Sequence, residues 1–154
     1  MPIKKIYKKA KGKYLYFLDS DDTFKASSLA DIQRELESHT DIALVFFRVE
    51  DQDGQFVGHR FKELQWLSLT RYLKHTSYGE ALAAMNRTKI TEAPYDADLR
   101  GYEGLGCMRI IRDHGDALLS AIVARQYDRS GDDRLSSPKI FLRHPFFSPV
   151  PCQH

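Results

Sequence analysis

The chain has 154 residues, enough for one domain with a real core, and its 42% hydrophobic and 29% charged content is ordinary for a soluble globular protein. A net charge of +2 says nothing global about partners, and no nucleic-acid partner is expected. Cys107 and Cys152 lie too far apart for a zinc or disulfide framework, and the absence of an apolar leader or membrane-length run leads us to expect a cytoplasmic chain with reduced thiols.

Residues 3–11 read as the tail of a basic helix that ends near Gly12. The first thirteen residues carry Lys4, Lys5, Lys8, Lys9, Lys11 and Lys13 without a compensating acid. Such a stretch could touch anionic lipid or nucleic acid, but with no interleaved aromatic stacking platform it reads first as the solvated face of a helix. Next comes Tyr14-Leu15-Tyr16-Phe17-Leu18, an apolar run that predicts a buried strand over 14–18. It stops at Asp19-Ser20-Asp21-Asp22, followed by Thr23-Phe24. Open α/β sheets place ligands at the carboxyl ends of their strands. Carboxylates this close repel one another, and a divalent cation bound through oxygen is the natural compensation. The plain alternative is a polar turn, which Asp and Ser favour.

Ser27-Ser28 can cap a helix of about ten residues with Leu29, Ile32 and Leu36 on one face. A continuous apolar run, Ile42 to Phe47, predicts the second strand. Asp53-Gly54 signals a tight turn, with Gln55-Phe56-Val57 returning from it. The first strand, helix and second strand would form a unit with parallel strands and a right-handed crossover. Residues 58–76 fit neither period.

Tyr78 to Met85 reads as a short helix and Thr91 to Leu99 as a loop broken by Pro94. A helix is predicted over Tyr102 to His114, with Leu105, Met108 and Ile111 on one face and Gly115 as its stop. Ala117 to Ala124 reads as a final strand. From Gln126 the chain turns polar, and its tail is rich in Pro and Phe. His114 and His144 read as cap or core residues rather than metal ligands.

The order of features from Ala10 to Gly54 resembles the family 2 glycosyltransferases of the GT-A fold. The resemblance is carried by Ala10-Lys11-Gly12-Lys13-Tyr14, then Phe17-Leu18-Asp19-Ser20-Asp21-Asp22, then the Asp51-Gln52-Asp53-Gly54 turn. It implies an α/β chain with a partial, Rossmann-like mixed sheet flanked by helices. The whole chain would be one truncated domain, with its acidic motif at 14–24, an acceptor-side half at about 78–136 and an irregular tail at 137–154.

By this resemblance Asp19-Ser20-Asp21 is an Asp-x-Asp motif holding Mn²⁺ or Mg²⁺ against the diphosphate of a nucleotide sugar. Asp21 is the first choice for direct ligand, Asp19 faces the ribose or the water shell of the metal, and Asp22 assists. The acceptor would be a saccharide or a glycolipid, and the transfer inverting. The catalytic base of such enzymes often lies in a Glu-Asp pair opening a helix. Glu103 fits the first acid, Gly104 replaces the second, and Asp98 and Asp96 stand behind Glu103 as alternatives. Arg125 to Ser136 occupies the region of a loop that closes over the diphosphate, where Arg129 or Arg134 would clamp phosphate oxygens. The nucleotide-reading strands that precede the acidic motif in this family are not represented. The remaining sheet is therefore expected to expose an edge and an apolar face, favouring a homo-oligomer or another partner.

Two other readings share these residues. Asp19-Ser20-Asp21-Asp22-Thr23 matches the nucleophile motif of haloacid-dehalogenase-type phosphatases, with Asp19 attacking phosphorus and Asp21 as general acid. A non-catalytic fragment serving as a binding module is the other.

Overall fold

The computed structural model describes residues 3–19, 22–58, 62–74, 80–95 and 103–127. Among them one mixed sheet gathers strands β1 (Tyr14–Tyr16), β2 (Thr23–Phe24), β3 (Leu44–Asp51), β4 (Phe56–Val57), β5 (Gln65–Leu67), β6 (Leu82–Asn86) and β7 (Ala117–Tyr127). The hydrogen-bonded order is β1-β6-β3-β7-β2, with β4 beside β3 and β5 beside β7. Helices α1 (Ile3–Lys9), α2 (Leu29–Ser38), α3 (Leu69–Lys74) and α4 (Glu103–His114) flank it. The mixed sheet with flanking helices expected of a partial GT-A arrangement is present.

Strand direction decides where a ligand can sit. β1 and β3 each run antiparallel to β6, and β3 runs parallel to β7. The carboxyl ends of β1, β3 and β7 therefore share one edge of the sheet. β1 and β3 are parallel, as the strand–helix–strand pattern predicts, but β6 lies between them. The sheet curls strongly: Phe24 of β2 and Tyr16 of β1, from opposite ends of the strand order, meet edge-on with ring centroids 5.7 Å apart.

β6 overturns the helix expected over 78–85. Leu82 and Ala84 face one core cluster while Met85 faces the other, the alternation of a strand buried on both sides. Ala and Met favour helices when isolated, but pairing with β1 and β3 on both edges overrides that preference. Asn86 closes the strand with its side chain satisfied. Its amide donates to Thr40 O (3.0 Å) and Ile42 O (3.2 Å), and its Oδ1 accepts from the Thr88 amide and hydroxyl.

Two core clusters lie on the two faces of the sheet. Cys107, Ile110 and Ile111 of α4 cover one face, against Leu44, Phe46 and Leu119. The buried stripe of α4 is thus rotated from the expected one, and Leu105 is exposed. Gly115 ends the helix at φ +93°, with its N–H on Ile111 O (3.1 Å). Ile32 and Leu36 of α2 cover the other face, packed on Val45, Phe47 and Leu118, while Leu29 is half exposed. The expected serine cap of α2 does not form: the Ser28 hydroxyl donates to Lys25 O (2.7 Å) in the preceding turn. The unreadable stretch 58–76 contains β5 and α3, both too short to show a period.

Tyr95 packs its ring edge-on to Phe17, with centroids 5.3 Å apart, and beneath Gly106 of α4. A Cβ at Gly106 would lie 2.6 Å from Tyr95 Cδ1 and 3.0 Å from Pro94 O. Overpacking of this kind costs about 1–3 kcal/mol, against the ~1 kcal/mol that alanine gains over glycine inside a helix. Gly106→Ala is therefore expected to lower the urea midpoint at unchanged m-value, which equilibrium unfolding reads directly.

Candidate functional site

The acidic motif leaves the carboxyl end of β1. Its backbone closes as a turn, the Asp22 N–H donating to Asp19 O at 3.1 Å. The chain then enters β2, where Thr23 and Phe24 pair with Gln126 and Arg125 of β7, and Lys25 N–H donates to Ala124 O (3.0 Å). The turn thus lies across the edge where β1, β3 and β7 end. Asp19 is exposed there, and Asp21 lies outside the described residues.

Asp22 is buried. Its Oδ2 stands 2.6 Å from Nη1 of Arg125, whose Nη2 lies 3.0 Å from Oε2 of Glu80. The pair Lys25–Glu50 ties the start of β2's following turn to β3 at 2.5 Å. Arg48, also buried on β3, stacks its guanidinium 3.4 Å from the Phe56 ring centroid. Asp51 is occupied by its own hairpin: its Oδ1 accepts from Asp53 N (3.1 Å) and Gln55 N (2.8 Å), and Gly54 takes φ +73°. The Asp-x-Asp-Gly phrase is a turn built around a carboxylate cap.

Two residues, Gly115 and Asp116, separate α4 from β7, and α4 packs on the sheet. A helix so connected must run back along its strand, which places its N-terminus at the carboxyl edge of the sheet. Glu103 opens α4 at that end; its backbone alone is described. Gly104 follows with its carbonyl accepting from the Tyr72 hydroxyl at 2.9 Å. A Cβ at 104 would stand 3.2 Å from that hydroxyl. A second acid at this position would need Tyr72 to give way, which is a physical reason for the glycine. Burial, and next the neighbouring Cys107, push Tyr72 up to about 12, so its hydroxyl stays a donor at neutral pH.

A half-open groove of about 410 Å³ adjoins the turn between α2 and β1, lined by Tyr14, Tyr16, Phe24, Leu29, Ile32 and Leu36. Tyr16 and Phe24 stand at the two feet of the acidic turn. Burial, and next Tyr14, push Tyr16 up to about 12. β1, which supplies Tyr14 and Tyr16 to this groove, is the end strand of the sheet order among the described residues.

The fold therefore brings Asp19, Asp22 and the start of α4 to one edge. Asp96, Asp98, Arg129 and Arg134 lie outside the described residues, as do the tail and His144. Residues 125–127, expected to open a loop, instead end β7 as paired strand. Arg125 and Glu80 are the site residues that the motif reading missed. The signal for Arg125 was its place directly after an apolar strand, where a buried guanidinium requires an acid partner.

No group of three or more His, Cys, Asp or Glu side chains suited to a metal is gathered among the described residues. No helix among them is long and apolar enough to cross a membrane. The family model described as Glycosyl transferase family 2 matches residues 3–92, more than half of the chain. The match spans the acidic turn, β3, the hairpin and β6, but not α4 or β7. No curated protein matches the chain.

Proposed function

The chain belongs to glycosyl transferase family 2, and we propose that it moves a sugar from a nucleotide-sugar donor to a saccharide or lipid-linked acceptor hydroxyl at the carboxyl edge of its sheet. The observation that carries this reading is the placement of the acidic turn across the shared carboxyl ends of β1, β3 and β7. That is where open α/β sheets bind ligands.

Asp19 and Asp21 are the residues that would hold Mn²⁺ or Mg²⁺. The donor chemistry suits such an ion: carboxylates are hard oxygen donors, and Asp19 is open to solvent. Mg²⁺ is commonly held by one or two carboxylates together with substrate phosphates and water, rather than by an all-protein cage. When bound, the ion supplies positive charge to the diphosphate oxygens on which negative charge develops.

Glu103 at the start of α4 serves as the base, with Asp98 as the alternative. It takes the proton of the acceptor hydroxyl as that oxygen bonds to the anomeric carbon. The bond from the anomeric carbon to the diphosphate breaks with its electrons on the leaving oxygen, and attack from the opposite side inverts the centre. Tyr72 fixes the first turn of α4 through Gly104, and so the base relative to the sheet. Arg129 and Arg134 are proposed to clamp the departing diphosphate. Contact with an anionic membrane through the lysines of α1 and self-association at the β1 edge belong to the same proposal.

The test is release of nucleoside diphosphate from a panel of nucleotide sugars, with Mn²⁺, Mg²⁺ or chelator, with and without oligosaccharide acceptors. Metal-dependent release with at least one donor is expected. Phosphate release from p-nitrophenyl phosphate that is lost in Asp19→Asn, with no sugar transfer, would instead support the phosphatase reading. Absence of turnover and of nucleotide binding would leave the binding module.

A further inference from the structure

Arg125 draws three separate segments together at the carboxyl edge. It stands near the end of β7 with a side chain 6% exposed, and it meets Asp22 from the acidic turn and Glu80 from the approach to β6. Asp22 is more deeply placed, its side chain 1% exposed, whereas Glu80 is 45% exposed. Removing a carboxylate from water this completely costs several kcal/mol unless a partner compensates it. The guanidinium is that partner, and it comes from β7, the strand that pairs with the two residues after Asp22.

The backbone around Asp22 is fastened on both sides. Its own N–H is bonded to Asp19 O, and the next two residues are paired in the ladder with Gln126 and Arg125. Asp22 is thus a fixed post between the carboxylate turn and β7. For its Oδ2 to reach a cation held by the turn, it would have to leave Arg125. A buried guanidinium would then be without its nearest acid.

We propose that Asp22 and Arg125 are positioning residues for the cation site. Arg125 clamps Asp22 at the end of the turn and thereby sets where Asp19, whose backbone carbonyl accepts from the Asp22 N–H, presents its carboxylate, while Asp22 itself stays outside the ligand shell. The proposal rests on the reading that Asp19 and Asp21 hold the cation, and it reassigns Asp22 from assisting ligand to support. Partners that orient metal ligands typically change metal affinity by 10- to 100-fold when removed.

The test is the Mn²⁺ affinity of the whole chain, from the electron paramagnetic resonance signal of free Mn²⁺. It compares wild type, Asp22→Asn, Arg125→Lys and the double variant Asp22→Asn with Arg125→Gln. Circular dichroism fixes a temperature at which all four are folded. Asp22→Asn and Arg125→Lys are each expected to weaken Mn²⁺ binding by about 10-fold, and the double variant to bind no more weakly than Asp22→Asn alone. Loss of Mn²⁺ binding in Asp22→Asn beside wild-type affinity in Arg125→Lys would overturn the proposal, because Asp22 would then be a ligand. Unchanged affinity in both single variants would overturn it as well, since the pair would then serve the fold alone. Both results leave the metal reading standing. A wild-type chain that binds no Mn²⁺ would remove that reading, and this proposal with it.

Discussion

Asp21→Asn is expected to lower metal-dependent sugar transfer by about 10²–10³-fold or more while leaving the fold intact. Removing one group aimed at the charge that develops in a transition state typically costs that much. The amide keeps the size of the side chain but not its charge, so its affinity for a hard divalent cation falls sharply. Stability should not fall with it, because the substitution removes one of three adjacent like charges and relieves their repulsion. Rates with saturating Mn²⁺ and a thermal melt of the same sample check both halves of the expectation. Asp19→Asn should have the smaller effect, since Asp21 is the first choice for direct ligand.

Arg125→Met is expected to destabilise the chain by about 3–5 kcal/mol, the cost of breaking a buried ion pair by removing one partner. The loss arises because Asp22 remains buried without its nearest cation, at 1% side-chain exposure. Glu80 contributes little, being nearly half exposed and able to turn to water. Against a typical total of about 5–15 kcal/mol this is a large fraction, and it lowers the melting temperature by on the order of 10 °C. Combining Arg125→Met with Asp22→Asn should recover much of the stability, because the stranded charge is then gone. A double-mutant cycle in urea measures the coupling, and additive losses would show that the pair does not interact as its 2.6 Å geometry indicates.

The parts of the fold that could be read in the sequence are those with strong local signals. The apolar run at 42–47 leads into β3, which takes up its last four residues, Asp53-Gly54 does turn the hairpin, and Gly115 does stop α4. What could not be read depends on partners distant in the chain. Residues 82–86 have helix-favouring side chains and become a strand because β1 and β3 flank them. The buried face of α4 includes Gly106, which no hydrophobicity pattern marks; it is set by the Tyr95 ring. β7 continues past the apolar run through Arg125 because the guanidinium finds Asp22, some hundred positions earlier.

The candidate site divides in the same way. The acidic stretch is legible as a turn at the end of a strand, because Asp and Ser directly after an apolar run both favour turns. Asp22's separate place within that cluster is not, since adjacent Asp residues look alike until the fold buries one of them against β7. The absence of a second acid after Glu103 is visible in the sequence, but its cause is the Tyr72 hydroxyl beneath Gly104.

Calorimetric titration with uridine, guanosine and thymidine diphosphates, each with Mn²⁺ and with chelator, tests most directly whether the acidic turn is a cation–diphosphate site. Binding of at least one nucleotide that needs Mn²⁺ and disappears in Asp21→Asn is the expected result. Binding that is equally strong in chelator, or that survives in Asp21→Asn, would contradict it.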